Sequence, residues 1–338
     1  LTGTAVVDAL APLGKGQNML VIGPDGTGGR GLALGAVANQ VRIARERANA
    51  NGKEGVRCVY ALTSSDPSER AEVLRTLEEA GVKDDVVIVS ALGSTSEDDG
   101  NSDELRSAEA VAVAASACAV AESFTLSSGL DSFVVVDDID RHKALWDWTT
   151  RLLIDVYGEE AVVEADRQGG ASSEMRGYYS GLIQRAGKYN ARNAGGSVTL
   201  VMLASVPGAK EGRGDGQGGE EGVLTAEDFE GASQKVQDRI AVLVNRNVPL
   251  TPTNLRKIGI PVPSKSESES ARTLALQHAD DLISMSDGQI WLDADLLARG
   301  DRMPPLDPQR SITRVGIGAD TESRADAPAV RGLTGGLR

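Results

Sequence analysis

The sequence predicts an α/β fold in which helices cover both faces of a mostly parallel sheet. Apolar runs of about four to eight residues, rich in Val, Ile and Leu, alternate along the chain with amphipathic stretches of helical period. Such alternation is typical of buried parallel strands joined by crossover helices. The composition, 41% hydrophobic and 25% charged, is that of a globular chain that can bury a large core.

Strands and helices are predicted to alternate over the first two thirds of the chain. The predicted strands are 19–22, 56–62, 85–92, 132–136 and 197–206. The predicted helices are 31–48, 68–80, 103–123, 142–157 and 173–189. The acidic, polar stretch at 93–102 is predicted to be an exposed loop. After a long interruption, the regular pattern resumes at 281–285 and 289–292.

The interruption predicts an insertion within one α/β core. Residues 208–222 are almost entirely Gly, Gln and charged residues, so the stretch has nothing to bury and is predicted to be flexible. Thr225 then caps a predicted helix at 226–245. The predicted organisation is a core at 1–207, an insertion at 208–273, the rest of the core at 274–320 and a tail at 321–338.

Composition excludes several classes of function. A formal net charge of -14 argues against nucleic-acid binding, because phosphate backbones are held mainly by Lys and Arg. Cys58 and Cys118 lie in apolar segments and are predicted to be reduced core residues. Since His142 and His278 are the only histidines, no zinc site is expected. No stretch approaches the ~20 apolar residues of a membrane span, so any membrane association is predicted to be peripheral.

A glycine-rich turn between the first strand and the first long helix is the candidate nucleotide site. Backbone amides in this setting can cradle phosphates. The candidate residues are Gly23, Gly26, Thr27, Gly28, Gly29 and Arg30, together with Asp137 at the end of a later strand.

The turn departs from a working phosphate loop at two positions. A loop of the form GxxxxGK[ST] needs Lys to reach the terminal phosphates and a hydroxyl to hold magnesium, and here Gly29 and Arg30 occupy those places. We therefore expect no Mg²⁺ and only background hydrolysis of ATP. Two alternatives stay open: the amides and Arg30 hold the phosphates of ATP or ADP without metal, or the segment is a tight turn without a ligand.

Asp137 ends an apolar strand. In proteins with a phosphate loop, a second motif has an acid at the same place, at the end of an apolar strand, and that acid holds magnesium through water. Because residue 30 has no hydroxyl, a second reading stays open, in which Asp137 caps the strand end and accepts hydrogen bonds from nearby amides.

Several segments together resemble one family, the ATP synthase alpha subunits. Residues 2–17 resemble the segment that leads into the family's phosphate loop. Further matches in the same order are 58–60, 137–143, 196–199, 286–292 and 311–316. The resemblance covers most of the chain outside 208 to about 273. It implies a RecA-like domain in a hexameric ring, with beta-type ATP synthase subunits and other subunits of a large proton-transporting complex as partners. It also implies a location peripheral to the membrane in a chloroplast or mitochondrion, or on a bacterial membrane surface.

Arg314 favours an alpha-type over a beta-type member. With Val315 and Gly316 it resembles the alpha segment whose arginine reaches into a neighbouring beta site. A guanidinium supplied across an interface stabilises the charge that develops on a transferring phosphoryl group. The resemblance therefore implies that Arg314 acts in trans, and the alternative is a surface arginine in a salt bridge.

The departures from the family limit the function. Family alphas keep Lys and Thr in the loop and Gln at the position of Ser65, and neither feature is present here. The domain's usual N-terminal barrel and C-terminal helical domain are not matched, which leaves open either flanks outside this sequence or a cut-down paralogue. We expect a non-catalytic alpha-type subunit or alpha-like paralogue. The alternatives are a scaffold or assembly protein that reuses the domain, and an active phosphoryl-transfer ATPase, against which the missing lysine argues.

Overall fold

The computed structural model describes residues 2–51, 55–91, 102–158, 170–190, 195–206, 278–300 and 303–314, with the single residues 161 and 192. The chain divides into two units, Leu1–Gly208 with Ala279–Arg338, and Ala209–His278. The sheet and its helices belong to the first unit. The predicted flexible stretch at 208–222, the helix at 226–245 and the tail at 321–338 lie outside the described residues, so the predicted domain division stays a prediction.

Strands and helices follow one another in the predicted order. The strands are β1 Asn18–Gly23, β2 Arg57–Leu62, β3 Val86–Ser90, β4 Asp131–Asp137, β5 Gly187–Lys188, β6 Ser197–Ser205, β7 Gly288–Trp291 and β8 Ile312–Thr313. The helices are α1 Ala5–Leu10, α2 Gly29–Asn51, α3 Pro67–Glu79, α4 Ser102–Ser128, α5 Arg141–Tyr157, α6 Gly170–Ile183 and α7 Ala294–Arg299. Residues 278–285 are also helical.

The strands form one sheet in the order β3-β2-β4-β6-β1-β7-β8, with β5 paired to β6. The pairings from β3 through to β7 are parallel, whereas β5 and β8 run antiparallel to their neighbours. This arrangement confirms the predicted α/β fold with a mostly parallel sheet. The carboxyl ends of β1, β4 and β6 therefore meet at one edge.

Helices pack on both faces of the sheet because successive strand residues point to opposite sides. In β1, Met19 and Val21 pack with α2 and α3 residues, whereas Leu20 and Ile22 pack with α4 and α6 residues. Both cysteines are buried and free, as predicted. Burial raises the pKa of Cys58 to about 12 and that of Cys118 to about 11.

One prediction about membranes needs correction. Within α4, Arg106–Ser128 is a stretch of 23 residues with a mean hydropathy of 1.5, which by length and composition alone could cross a membrane. The sequence reading missed it because small residues carry its apolar character. A core helix meets the same criterion, and α4 buries Ala110, Ala114, Ala117 and Ala121 against the sheet.

The predicted helix at 173–189 is too long. The helix ends at Ile183, since Arg185 and Ala186 donate backbone hydrogen bonds to residues only three positions earlier, in a tightened last turn. Gly187 then pairs with Val198 in β6. Pairing with a neighbouring strand thus overrides the helical pattern of this segment.

Candidate functional site

The glycine-rich turn joins β1 to α2 at the carboxyl edge of the sheet. Gly26 and Gly28 have φ angles of 80° and 92°, in the left-handed region that favours glycine. Between them, the Thr27 hydroxyl donates a hydrogen bond of 2.6 Å to the carbonyl oxygen of Pro24. Thr27 is buried, so its hydroxyl stabilises the turn from inside.

A cavity of about 560 Å³ opens beside this turn. Its volume lies within the usual range of small-molecule sites, roughly 300–1,000 Å³. The predicted site residues that line it are Gly23, Gly26, Thr27, Gly28, Gly29, Arg30 and Asp137. The fold therefore brings all of them together, whereas Arg314 is not among the lining residues.

Asp137 lies at the end of β4 with only 3% of its surface exposed. Its Oδ2 accepts a hydrogen bond of 2.7 Å from Arg30 Nε and another of 2.8 Å from the hydroxyl of Tyr60. Neither sequence-based reading of Asp137 anticipated this contact. The acid at the strand end binds a guanidinium from the chain itself.

The other nitrogens of Arg30 also face carboxylates. Nη2 donates to Glu69 Oε2 at 2.6 Å, and Nη1 lies 3.9 Å from Glu72 Oε2. Glu69 is held in the first turn of α3, a helix whose N-terminus is capped by Asp66 through a 2.8 Å bond from Ser68 N. The guanidinium therefore connects the start of α2 to β4 and α3.

Burial and charge act against each other on this pair. Burial would lower the pKa of Arg30, but the charge of Asp137 and the hydrogen bonds to Glu69 and Asp137 raise it above its ordinary value. Burial raises the pKa of Asp137, and the guanidinium of Arg30 and the Tyr60 hydroxyl oppose that rise. Burial, followed by the charge of Asp137, also raises the pKa of Tyr60. Tyr60 therefore remains a neutral donor to Asp137.

A second guanidinium extends the network. Arg141 Nη2 donates to Glu69 Oε1 at 3.2 Å, and its Nε lies 2.8 Å from Asp138 Oδ2. Asp138 has a φ of 62°, a conformation uncommon for a residue with a side chain. Burial raises the pKa of Asp138, and Arg141 opposes that rise. Glu69 thus receives one guanidinium on each of its carboxylate oxygens.

A neutral contact lies beside this network. The backbone N–H of Ser205, at the end of β6, donates to the carboxylate of Asp140. The Ser205 hydroxyl donates to Asp25 Oδ1 at 2.6 Å, which connects the turn after β1 to β6. Burial, partly opposed by the hydrogen bond from Ser205, raises the pKa of Asp140 to about 7.

The charges around the cavity are predominantly negative. Its lining contains five carboxylates, whereas its only cations among the described residues are Arg30 and Arg141. Both guanidinium groups are paired with carboxylates. A polyphosphate would therefore meet backbone amides of the loop but no unpaired lining cation, which disfavours its binding.

The residues present do not fit the magnesium ion that a phosphate loop of this type would hold. Residue 30 supplies a cation instead of a hydroxyl ligand, and that cation lies 2.7 Å from the acid that would face the metal. A divalent ion at the same place would meet a like charge at short range.

Arg314 lies directly after β8. Its Nη1 donates to the carbonyl oxygens of Ile283 at 2.8 Å, Ser286 at 3.3 Å and Ser284 at 3.4 Å. Ile283 and Ser284 lie in the last turn of the helix at 278–285, and Ser286 directly follows it; a cation is favourable there because of the helix dipole. The predicted role of Arg314 in trans stays a prediction.

The sequence analysis did not single out several residues of the site, among them Tyr60, Glu69 and Arg141. Tyr60 and Arg141 fall inside segments that carried the family resemblance, at 58–60 and 137–143. Glu69 follows the helix cap Asp66 by three residues, the spacing of a capping box, which marks the start of α3 but not a partner. No sequence signal connects these residues into one network with Arg30, because the contacts depend on how the strands are ordered.

The geometry of the site is that of one class of protein. A glycine-rich turn between a strand and a helix, beside a strand-terminal acid at the carboxyl edge of a parallel sheet, is typical of P-loop nucleotide-binding domains. The family model described as "ATP synthase alpha/beta family, nucleotide-binding domain" matches residues 3–211, more than half of the chain. The chain belongs to that family, and the resemblance found in the sequence is confirmed.

Curated relatives support the alpha branch. ATP synthase subunit alpha of Tolumonas auensis is 27% identical over 337 residues, which covers 100% of this chain and 48% of that protein. The subunit alpha of a Janthinobacterium species is 26% identical over the same length and share. That of Acetivibrio thermocellus is 29% identical over 202 residues, 60% of this chain and 34% of that protein. The chain thus spans about half the length of the first two relatives. All three are bacterial and give no support to a chloroplast or mitochondrial location.

Proposed function

We propose that this chain is a non-catalytic alpha-type subunit, or an alpha-like paralogue, of a rotary ATP synthase, with little or no hydrolysis at its own loop. The single observation that carries the proposal is the contact of Arg30 with Asp137 and Glu69. The two residues that phosphoryl transfer would require in the loop, a lysine and a hydroxyl, are replaced by Gly29 and this paired arginine.

Binding of ATP or ADP would then rest on the loop alone. The amides at the start of α2 offer partial positive charge to a phosphate, and the cavity has room for a small molecule. The net negative lining works against a polyphosphate. We therefore expect weak, metal-independent binding of nucleotide at most, and no phosphoryl transfer within this chain.

The proposed partners are beta-type ATP synthase subunits within a large, membrane-associated complex. In that setting Arg314 would supply its guanidinium to the neighbour's site. This role requires Arg314 to leave, or to share, the carbonyl oxygens of Ile283 and Ser286. Those acceptors are neutral and can be hydrated when the arginine moves, so the required change is small compared with breaking an ion pair.

A scaffold or assembly role is the second candidate. The contacts of Arg314 Nη1 within its own chain favour it, since they already give the residue a local structural function. A scaffold would use its surfaces to hold another complex and would not need Arg314 near any phosphate.

ATP turnover separates these functions. The purified chain should hydrolyse ATP at the background rate, and Asp137→Ala should leave that rate unchanged. In a complex with its beta-type partner, Arg314→Ala should lower turnover by about 10³-fold, the size of effect that such arginines have in GTPases. Arg299→Ala is the matched control, because Arg299 is an arginine in the last turn of α7.

Each other outcome would contradict a defined part of the proposal. Turnover by the chain alone that Asp137→Ala abolishes would establish an active ATPase and refute the main proposal. Unchanged turnover in the Arg314→Ala complex would refute the role in trans. Failure to assemble with a beta-type subunit would favour the scaffold.

A further inference from the structure

Arg30 occupies the position at which a phosphate loop of the family would carry the hydroxyl ligand of magnesium. Its guanidinium does not point at the glycine-rich turn, where phosphates would bind. It points at Asp137, the acid expected to face the metal, and at Glu69. Arg30 therefore replaces the hydroxyl ligand in the sequence, and its guanidinium lies beside Asp137, where the metal would be expected.

We propose that the guanidinium of Arg30 is a permanent internal replacement for the magnesium ion. It holds the start of α2, the end of β4 and the start of α3 together without metal or nucleotide. The inference deepens the proposed function, because it explains how the same site keeps its shape while performing no hydrolysis.

The replacement follows from charge and geometry. Asp137 has 3% of its surface exposed, and an ionised carboxylate at that depth needs a cation or several donors. Arg30 Nε and the Tyr60 hydroxyl both reach its Oδ2. A guanidinium is planar, always charged and weakly hydrated, so it can satisfy two carboxylates at once in a partly buried place.

The guanidinium of Arg30 differs from a magnesium ion in that it cannot leave the site. A magnesium ion in such a loop keeps several waters and is held partly by the phosphates of its nucleotide, so it leaves when the nucleotide leaves. The cation of Arg30 is covalently part of α2. The positive charge at the site is therefore the same whether or not nucleotide is present. Loss or gain of magnesium during the nucleotide cycle of neighbouring subunits should not change the structure of this site.

Thermal unfolding of the full chain, in EDTA and in excess Mg²⁺, tests the inference. The melting temperature of the wild-type chain should change by less than about 1 °C with Mg²⁺, since no site gains affinity on folding. Arg30→Thr, which restores the hydroxyl and removes the cation, should lower the melting temperature in EDTA by about 3–8 °C. Excess Mg²⁺ should recover part of that loss, and adding Asp137→Asn should abolish the recovery.

Arg45→Thr is the matched control. Arg45 lies in the C-terminal part of α2, the same helix as Arg30, and forms an exposed ion pair with Asp85. Its loss should change the melting temperature by less than about 2 °C, with no response to Mg²⁺.

Direct binding of Mn²⁺, followed by its paramagnetic resonance signal, gives a second measurement that needs no stability comparison. The wild-type chain should leave the signal unchanged, and Arg30→Thr should reduce it. If Arg30→Thr does not fold, Arg30→Lys replaces it; that variant should fold with a lower melting temperature and bind no Mn²⁺.

The inference is overturned if the wild-type chain binds Mn²⁺, or if Mg²⁺ raises its melting temperature as much as it raises that of Arg30→Thr. It is also overturned if neither variant is less stable than the wild type. These outcomes are distinct from failure of the proposed function, because ATP turnover would refute that function without any change in metal dependence.

Discussion

Arg30 and Arg314 are the two arginines on which the proposed function depends, and they face different kinds of partner. The guanidinium of Arg30 contacts the carboxylates of Asp137 and Glu69, with Glu72 at the edge of ion-pair distance. Within the described part of the chain, Nη1 of Arg314 donates to neutral carbonyl oxygens near the end of a helix. Charged, partly buried partners hold an arginine in place, whereas neutral and partly exposed partners can exchange it for water.

The difference indicates which arginine can change partners. Removing Arg30 from its place leaves a buried carboxylate without its cation, so the ion pair is costly to break. Removing Arg314 leaves carbonyl groups that water can reach. The region around Arg30 is therefore a fixed part of the fold, and Arg314 is the arginine that could be redirected to another chain.

The largest expected effect comes from Arg30→Met, which keeps the length of the side chain but removes its charge. We expect a loss of about 2–4 kcal/mol in the free energy of unfolding, because Asp137 would remain buried and uncompensated. Urea denaturation monitored by circular dichroism measures this value. A loss below about 1 kcal/mol would mean that the contact with Asp137 contributes as little as an exposed ion pair.

The second effect concerns Asp140, a carboxylate at the same edge of the sheet that accepts a hydrogen bond from the backbone N–H of Ser205. Its pKa is about 7 in the folded chain, compared with about 3.9 in an unfolded one. At a pH between those two values, Asp140 is thus protonated in the folded state and ionised in the unfolded state. The free energy of unfolding should fall as pH rises through this window.

Asp140→Asn removes that titration. The difference between the variant and the wild type therefore reports the titration of Asp140 separately from that of the other acids. The free energy of unfolding of the variant, relative to wild type, should rise by about 1–2 kcal/mol between pH 4.5 and pH 8. This value is smaller than the full pKa shift would give, because Asp140 is only partly buried. Urea denaturation at a series of pH values measures it. A difference that is flat with pH would show that Asp140 titrates near its ordinary value.

The smallest effect should come from Arg314→Met. A loss of about 0.5–1 kcal/mol is expected, since exposed hydrogen bonds from a cation to helix-end carbonyls contribute little. The same urea titration measures both arginine variants under one condition. The contrast between the two regions would fail if Arg314→Met cost as much as Arg30→Met.

Much of the fold could be predicted because its signals are local. The apolar run at 132–136 predicts β4 to within one residue at each end, and the glycine pattern at 23–31 places the turn between β1 and α2. The meeting of the turn with Asp137 follows, since carboxyl ends of parallel strands share an edge.

The wider network around Arg30 could not be predicted because its members are not local. Tyr60 and Glu69 come from β2 and α3, and their distance from Arg30 depends on the strand order and on the angle at which α3 leaves the sheet. From the sequence alone, the same arginine could equally have faced a phosphate. The end of α6 was missed for a related reason, because pairing with β6 decides it and the helical pattern of 173–189 does not.

Glu69 also bears on how this site could change over generations. Because both of its oxygens bind guanidinium groups, and Arg30 also pairs with Asp137, the acids and arginines must change together. A first step from Arg30 back to threonine leaves a buried charge, and a first step from Gly29 to lysine adds no hydroxyl for a metal. Neither single substitution restores both the lysine and the hydroxyl that phosphoryl transfer requires, and the first lowers stability. A change to the family's loop sequence therefore needs at least two substitutions, and the one at Arg30 lowers stability when it comes first.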